Sequence, residues 1–184
     1  MLGVKKSIPI ISVVGLKKSG KTTVVECLVR RLVELGFRVG TIKSMVHSNF
    51  TIDVKGKDTY RHREAGASFV ISLSRNETVY IQNNPRRNDL EEVSRLFPEE
   101  TDVVVSEGLR DTGPSIFQLV ACRDLGTVEE TFRVRNIGEN VVALTGLLAN
   151  EITEHSSYPI INVTKDDELN SLIELLIEKT GLRK

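Results

Sequence analysis

Ile8 to Val14 is an apolar, β-branched run, the pattern of a strand buried on both faces. From Lys21 to Leu35 the period changes. Val24/Val25, Leu28/Val29 and Leu32/Val33 recur every four residues, while Glu26, Arg30 and Glu34 form a charged i,i+4 stripe on another face. This predicts an amphipathic helix with Gly36 as its stop. Phe37 to Ile42 reads as a second strand. A strand–helix–strand opening is the mark of a parallel sheet joined by right-handed crossovers.

Lys43 to Asp58 is a long polar segment, of the kind that usually carries function in a compact domain. A short helix capped by Asp58 is expected to end near Gly66, and Ser68–Ser74 and Thr78–Gln82 read as a hairpin across Arg75-Asn76-Glu77. Asn83 to Arg87 is a loop, and a helix is expected from Asp89 to Phe97, before Pro98. Val103–Val105 and Ile116–Ala121 are further buried strands, whereas residues 123–140 show no clear period. Val141–Leu144 and Ile160–Val163 are expected to close the sheet, and Asp166 or Asp167 to cap a last helix through Ile177. The fold class is therefore α/β, a mostly parallel sheet flanked by helices, in a single domain over 1–184 with a β-hairpin insertion near 68–88.

Composition narrows the function. At about 150 residues per domain, 184 residues make roughly one. Twenty-five Lys and Arg balance 25 Asp and Glu, which argues against a general nucleic-acid binder. Aromatics at 5% with no Trp offer no stacking platform for single strands. Cys27 and Cys122 lie far apart without a CxxC, as expected of reduced thiols in a cytoplasmic protein. Lys5-Lys6 and the following apolar run imitate a signal peptide, but Lys17-Lys18-Ser19-Gly20-Lys21 follows in place of a small-residue cleavage site. No apolar run approaches the roughly 20 residues that span a bilayer.

Gly15-Leu16-Lys17-Lys18-Ser19-Gly20-Lys21-Thr22 satisfies GxxxxGK[ST] in full, between a predicted strand and a predicted helix. The glycines let backbone N–H groups turn inward around phosphates. Lys21 supplies a point charge for the β and γ oxygens, Thr22 a hydroxyl for Mg²⁺, and the helix behind Thr23 its positive end. This is the phosphate-binding loop of a P-loop NTPase. Such a loop needs an acidic group near the metal, and Asp102 and Glu107 bracket the third buried strand. Ligands bind at the carboxyl ends of parallel strands. Glu107 lies at that end, while Asp102 starts the strand roughly 17 Å away at about 3.3 Å per residue. Glu107 is the expected metal partner, directly or through water. The same edge receives Lys43, His47, Asp53, Lys55, Lys57, Asp58, Arg61, His62 and Arg63, either a site for phosphate esters or a solvated charged loop. Thr164-Lys165-Asp166-Asp167 matches the [NT]KxD pattern by which many GTPases read guanine, or is simply the start of the last helix. No glutamine is obviously poised to orient an attacking water, so any hydrolysis should be slow.

On Gly15–Thr23, Thr41-Ile42-Lys43 with His47, Ile52-Asp53, Gly56-Lys57-Asp58-Thr59-Tyr60-Arg61 with Ala65-Gly66-Ala67, and Asp102–Arg110, the chain resembles the molybdopterin-guanine dinucleotide biosynthesis adaptor (MobB) family. The match is good over roughly the first 110 residues. Ser44 and Val46 stand where that family usually has histidines, with His47 kept. The resemblance implies GTP and Mg²⁺ as ligands, weak GTP hydrolysis, a homodimer, and partnership with the guanylyltransferase that makes the guanine dinucleotide form of the cofactor. It implies molybdopterin phosphate or a partner as the ligand of the basic segment. The nucleotide site would comprise Gly15, Lys17, Lys18, Ser19, Gly20, Lys21, Thr22 and Thr23, with Lys43, Asp53, Lys57, Asp58 and Arg61 on the γ-phosphate or pterin side. Two other readings share the fold. In a small-molecule kinase Arg86 and Arg87 would be lid arginines and Asp53 the base for an acceptor hydroxyl. A partitioning ATPase would want a lysine where Leu16 stands.

Overall fold

A computed structural model of the chain describes residues 8–45, 51–82, 93–94, 96–135, 137–152, 154 and 157–183. The chain divides into two compact units, Met1–Ser44 with Glu92–Lys184, and Met45–Glu91. In chain order the described elements are β1 (Ile10–Gly15), α1 (Lys21–Glu34), β2 (Val39–Lys43), α2 (Asp58–Glu64), β3 (Phe69–Leu73), β4 (Thr78–Gln82), β5 (Val103–Glu107), β6 (Ile116–Ala121), α3 (Val128–Val134), β7 (Val141–Thr145) and α4 (Asp166–Thr180). None of these helices is long and apolar enough to cross a membrane.

The first unit is built on a five-stranded sheet in the order β2-β5-β1-β6-β7, parallel throughout. β1 sits at its centre and is buried along its whole length, which is why its sequence is a continuous apolar run. Alternation sorts the side chains to two faces. Ile11 and Val13 meet Leu28 and Leu32 of α1 and Leu172 and Leu176 of α4, while Val14, Val120 and Leu144 meet Val128 of α3 and Leu148. Each fully buried leucine contributes about 1.5–3 kcal/mol over leaving it in water. α1 buries the narrower stripe Val24, Leu28 and Leu32, with Val33 54% exposed. Gly36 ends it at φ 82°, a left-handed angle that favours glycine.

The second unit holds α2 and the antiparallel pair β3–β4, in which Ile71 lies opposite Tyr80 and Phe69 stacks on Tyr80 at 5.8 Å.

Several expectations need correction. β2 starts at Val39, because the Phe37 N–H bonds back to the Leu32 carbonyl and its ring enters the core. Ile160–Val163 is not a full strand, and Ile160 makes only an isolated bridge to Leu144. The Ile161 carbonyl, which the next ladder bond would use, instead accepts from the Thr145 hydroxyl at 2.8 Å. The residue capping α4 is Lys165, which makes no side-chain cap bond, while Asp166 and Asp167 fall in the first turn. That helix runs to Thr180, three residues past Ile177, and stops where Gly181 turns at φ 67°. Within 123–135, where the sequence shows no clear period, the structure has a turn and a helix. Asp124 and Thr127 form a capping box around a 3₁₀ turn, Leu125–Thr127, that leads into α3. The helix expected over Asp89–Phe97 falls mostly outside the described residues.

Candidate functional site: a phosphate-binding loop at the carboxyl edge

β1 delivers the chain to the carboxyl edge at Gly15, and α1 begins at Lys21. Between them the backbone is held tightly. A Cβ on Gly15 would stand 2.2 Å from the Ala121 carbonyl oxygen on β6, so only glycine fits there. Gly20 takes φ 85° and Lys18 φ 59°, the left-handed angles that wrap a loop around a small ligand. Ser19 is buried, its hydroxyl donating to the Leu16 carbonyl at 3.0 Å, while its own carbonyl accepts from the Leu147 N–H at 3.2 Å. The loop is thereby pinned to the segment after β7. Behind it the first-turn N–H groups of α1 have no partner within the helix, and the first turn carries no acidic side chain. The positive helix end is left for an anion.

Lys21 folds back over the loop and donates to the Leu16 carbonyl at 2.5 Å. Burial pulls its ammonium below the ordinary lysine range. Glu107 opposes that shift, and the charges of Arg135 and Lys43 add to it. A partly desolvated cation of this kind gains most from a multiply charged oxyanion.

Across the loop, Thr22 Oγ1 donates toward Glu107 and lies 3.2 Å from each of its carboxylate oxygens. Glu107 ends β5 in register with Lys43 at the end of β2, and the two side chains form an ion pair. Glu107 is 9% exposed. A hydroxyl and a carboxylate oxygen are the hard donors Mg²⁺ selects, and adjacent ligands of an octahedral Mg²⁺ stand about 3 Å apart. The pair suits that ion once Lys43 yields its place on the Glu107 carboxylate. Among the described residues no cluster of three or more His, Cys, Asp or Glu side chains occurs, so water and phosphate oxygens would complete the shell. Asp102 lies at the opposite end of β5, where its carboxylate accepts from the Arg38 N–H at 2.8 Å.

Of the other residues singled out from the sequence, Lys17 and Lys18 are exposed on the loop and Thr23 is exposed in the first turn of α1. Asp53, Lys57, Asp58 and Arg61 belong to the second unit. Asp53 is engaged on both carboxylate oxygens, by the Thr59 hydroxyl at 2.7 Å and Arg63 at 2.8 Å, with its side chain 1% exposed. It ties the polar segment to α2. Lys57, and not the expected Asp58, stands at the cap of α2, where its side chain makes no cap bond; Asp58 falls in the first turn and forms an exposed pair with Arg61 at 3.8 Å. His47, Arg86 and Arg87 lie outside the described residues. In the Thr164–Asp167 pattern, Lys165 binds Glu168 at 2.8 Å and the Thr164 hydroxyl donates to Asn162. Thr164 and Asp166, but not Asp167, line a groove with Thr23 and Glu26 between α1 and α4.

Two cations escaped the sequence reading. Arg110 follows β5, and Arg135 follows α3 with its Nε buried and unpartnered. Burial lowers the Arg135 pKa, and the Arg110 charge lowers it further. No local pattern marks Arg135, because it lies in the stretch without a period.

The family model for molybdopterin guanine dinucleotide synthesis protein B matches residues 10–146. A Haemophilus influenzae molybdopterin-guanine dinucleotide biosynthesis adapter protein is 35% identical over 104 residues, 56% of this chain and 58% of that relative, less than two thirds of its length. A Bacillus subtilis protein described as a probable adapter of the same kind is 30% identical over 158 residues, 84% of this chain and 85% of the relative. The crystal structure of Bacillus subtilis MobB superposes with a TM-score of 0.70 at 23% identity, covering 91% of this chain and 98% of that one. The MobB homolog from Bacillus stearothermophilus gives 0.63 at 23% identity, covering 94% and 98%. The chain belongs to the molybdopterin guanine dinucleotide synthesis protein B (MobB) family.

Proposed function

We propose that this protein is a GTP-binding adapter of molybdopterin guanine dinucleotide biosynthesis. The observation that carries the nucleotide reading is the Thr22–Glu107 pair, two hard oxygen donors at the mouth of a complete phosphate-binding loop. Lys21, the loop N–H groups and the positive end of α1 hold the phosphates. Thr22 and Glu107 hold Mg²⁺, whose role is to neutralise phosphate charge. Family membership supports guanine as the base, a second copy of the chain as partner, and the guanylyltransferase of this pathway as the protein served. It also supports the cytoplasm as the compartment. Hydrolysis is slow in this reading.

The adapter role needs a link from nucleotide to protein surface, and the contacts at the end of β2 support one. The Ser44 N–H donates to the Glu107 carbonyl at 2.9 Å, and Lys43 pairs with the Glu107 carboxylate. The chain leaves for the second unit directly after this point. Whatever binds Glu107 therefore competes with Lys43 and acts on the strand end that leads there. Within the second unit Lys57 and Arg61 remain exposed and are candidates for the phosphate of molybdopterin or for a partner. The kinase reading is not favoured, because both oxygens of Asp53, its candidate base, are already bound.

The test is a reconstituted conversion of molybdopterin to its guanine dinucleotide by the guanylyltransferase. Adding wild-type protein with GTP and Mg²⁺ should raise the rate, and Lys21→Ala should not. Equal stimulation by both proteins would remove the nucleotide from the mechanism, and no stimulation by either would remove the adapter role.

A further inference from the structure

The backbone of Glu107 is held on both flanks. Its carbonyl accepts from the Ser44 N–H at 2.9 Å on the β2 side, and the next N–H, that of Gly108, donates to the Val13 carbonyl at 3.0 Å on the β1 side. The Glu107 side chain is only 11% exposed. A carboxylate so far from water is costly unless a cation stands beside it.

Lys43 supplies that cation. It reaches Glu107 because the two are register partners on neighbouring parallel strands. Lys21, by contrast, is committed to the Leu16 carbonyl at 2.5 Å. The Lys43 ammonium contacts Glu107 Oε1, and the same oxygen lies 3.2 Å from the Thr22 hydroxyl. The ammonium thus competes for the oxygen that a metal shared by Thr22 and Glu107 needs. The two partners differ in freedom. Lys43 has a side chain 53% exposed on a flexible four-carbon stem, so the lysine is the one that moves. An ammonium and a divalent cation on one carboxylate repel each other, so each excludes the other.

We propose that Lys43 is a resident cation that keeps divalent metal off Glu107 until a phosphate on the loop offers its ammonium another partner. Metal and nucleotide then enter together, and metal alone is held off. By linkage each strengthens the binding of the other by the same factor. The inference rests on the P-loop binding a nucleotide with a metal at Thr22 and Glu107, and it adds the residue that governs when the metal enters.

Mn²⁺ takes the same oxygen donors as Mg²⁺ and is paramagnetic, so its binding to the nucleotide-free full chain can be followed by loss of the free-ion EPR signal. Lys43→Met should bind Mn²⁺ about 10- to 100-fold more tightly than wild type. Lys43→Arg, which keeps the ion pair, should stay near wild type, and Glu107→Gln added to Lys43→Met should abolish the gain. No gain in Lys43→Met overturns the proposal, as does a gain that survives Glu107→Gln. Micromolar Mn²⁺ binding by the nucleotide-free wild type overturns it without any variant. Titration calorimetry of wild type with GTP and Mg²⁺ separates the two levels. Binding there, with no gain of Mn²⁺ affinity in Lys43→Met, refutes the resident cation alone; absence of binding refutes the nucleotide reading and this inference with it.

Discussion

Lys21 is held in a protein environment that disfavours its charge, and the direction of its shift makes a prediction. Burial, aided by Arg135 and Lys43 and opposed by Glu107, sets its pKa below 10.5 in the folded protein. The unfolded chain therefore holds this proton more tightly. Below the folded value both states are protonated and the penalty on the charged form is fully felt, and it fades as pH rises toward 10.5. A bound phosphate reverses the shift. Nucleotide binding between the lowered value and 10.5 should be accompanied by proton uptake, read as a buffer-dependent enthalpy that grows as pH rises toward that window. Lys21→Arg, which stays charged, should remove that component. Glu107 makes a second prediction. Glu107→Gln keeps the shape but removes the charge offered to Mg²⁺, so chelating the metal should weaken GTP binding in wild type and far less in the variant. A third concerns Gly15, where a Cβ would meet the Ala121 carbonyl oxygen at 2.2 Å. Gly15→Ala should cost about 1–3 kcal/mol in urea unfolding, because backbone on both sides must move.

At the scale of elements, burial decides which substitutions matter. Leu172 of α4 is fully buried against α1, whereas Leu73 of β3 is 77% exposed. Leu172→Ala should lose about 2–5 kcal/mol and Leu73→Ala no more than about 0.5 kcal/mol, measured by chemical denaturation. The same contrast explains what the sequence made legible. β1, α1, β5 and β6 announce themselves because their burial is regular, period two or continuous for strands and near 3.6 for α1. α3 does not, because in seven residues it buries only Val128 and Thr131, and Thr131 is polar. Ile160–Val163 reads as a strand, yet the Thr145 hydroxyl takes the Ile161 carbonyl, a bond that no periodicity reveals. The site divides in the same way. The loop and the end of β5 could be placed from local pattern and strand direction. Arg135, in the patternless stretch 123–140, comes under the charge of Arg110 only through the tertiary fold.

At the scale of the whole molecule, the charge balance of 25 against 25 conceals where the charges stand. In the first unit Lys43 pairs with the Glu107 carboxylate, whose charge also acts on Lys21, while Lys57 and Arg61 are displayed on the second. A neutral chain can hold a focused phosphate site without attracting nucleic acid. If a second copy of the chain is its partner, as proposed, light scattering in solution should give twice the 20.5 kDa chain mass. The central claim is that the loop at Gly15–Thr22 binds GTP with Mg²⁺. Competitive titration of GTP against ATP, with and without Mg²⁺, tests it most directly. GTP should bind more tightly than ATP, lose affinity when the metal is chelated, and fail to bind Lys21→Ala; equal or stronger binding of ATP, or undiminished GTP binding by Lys21→Ala, would contradict the account.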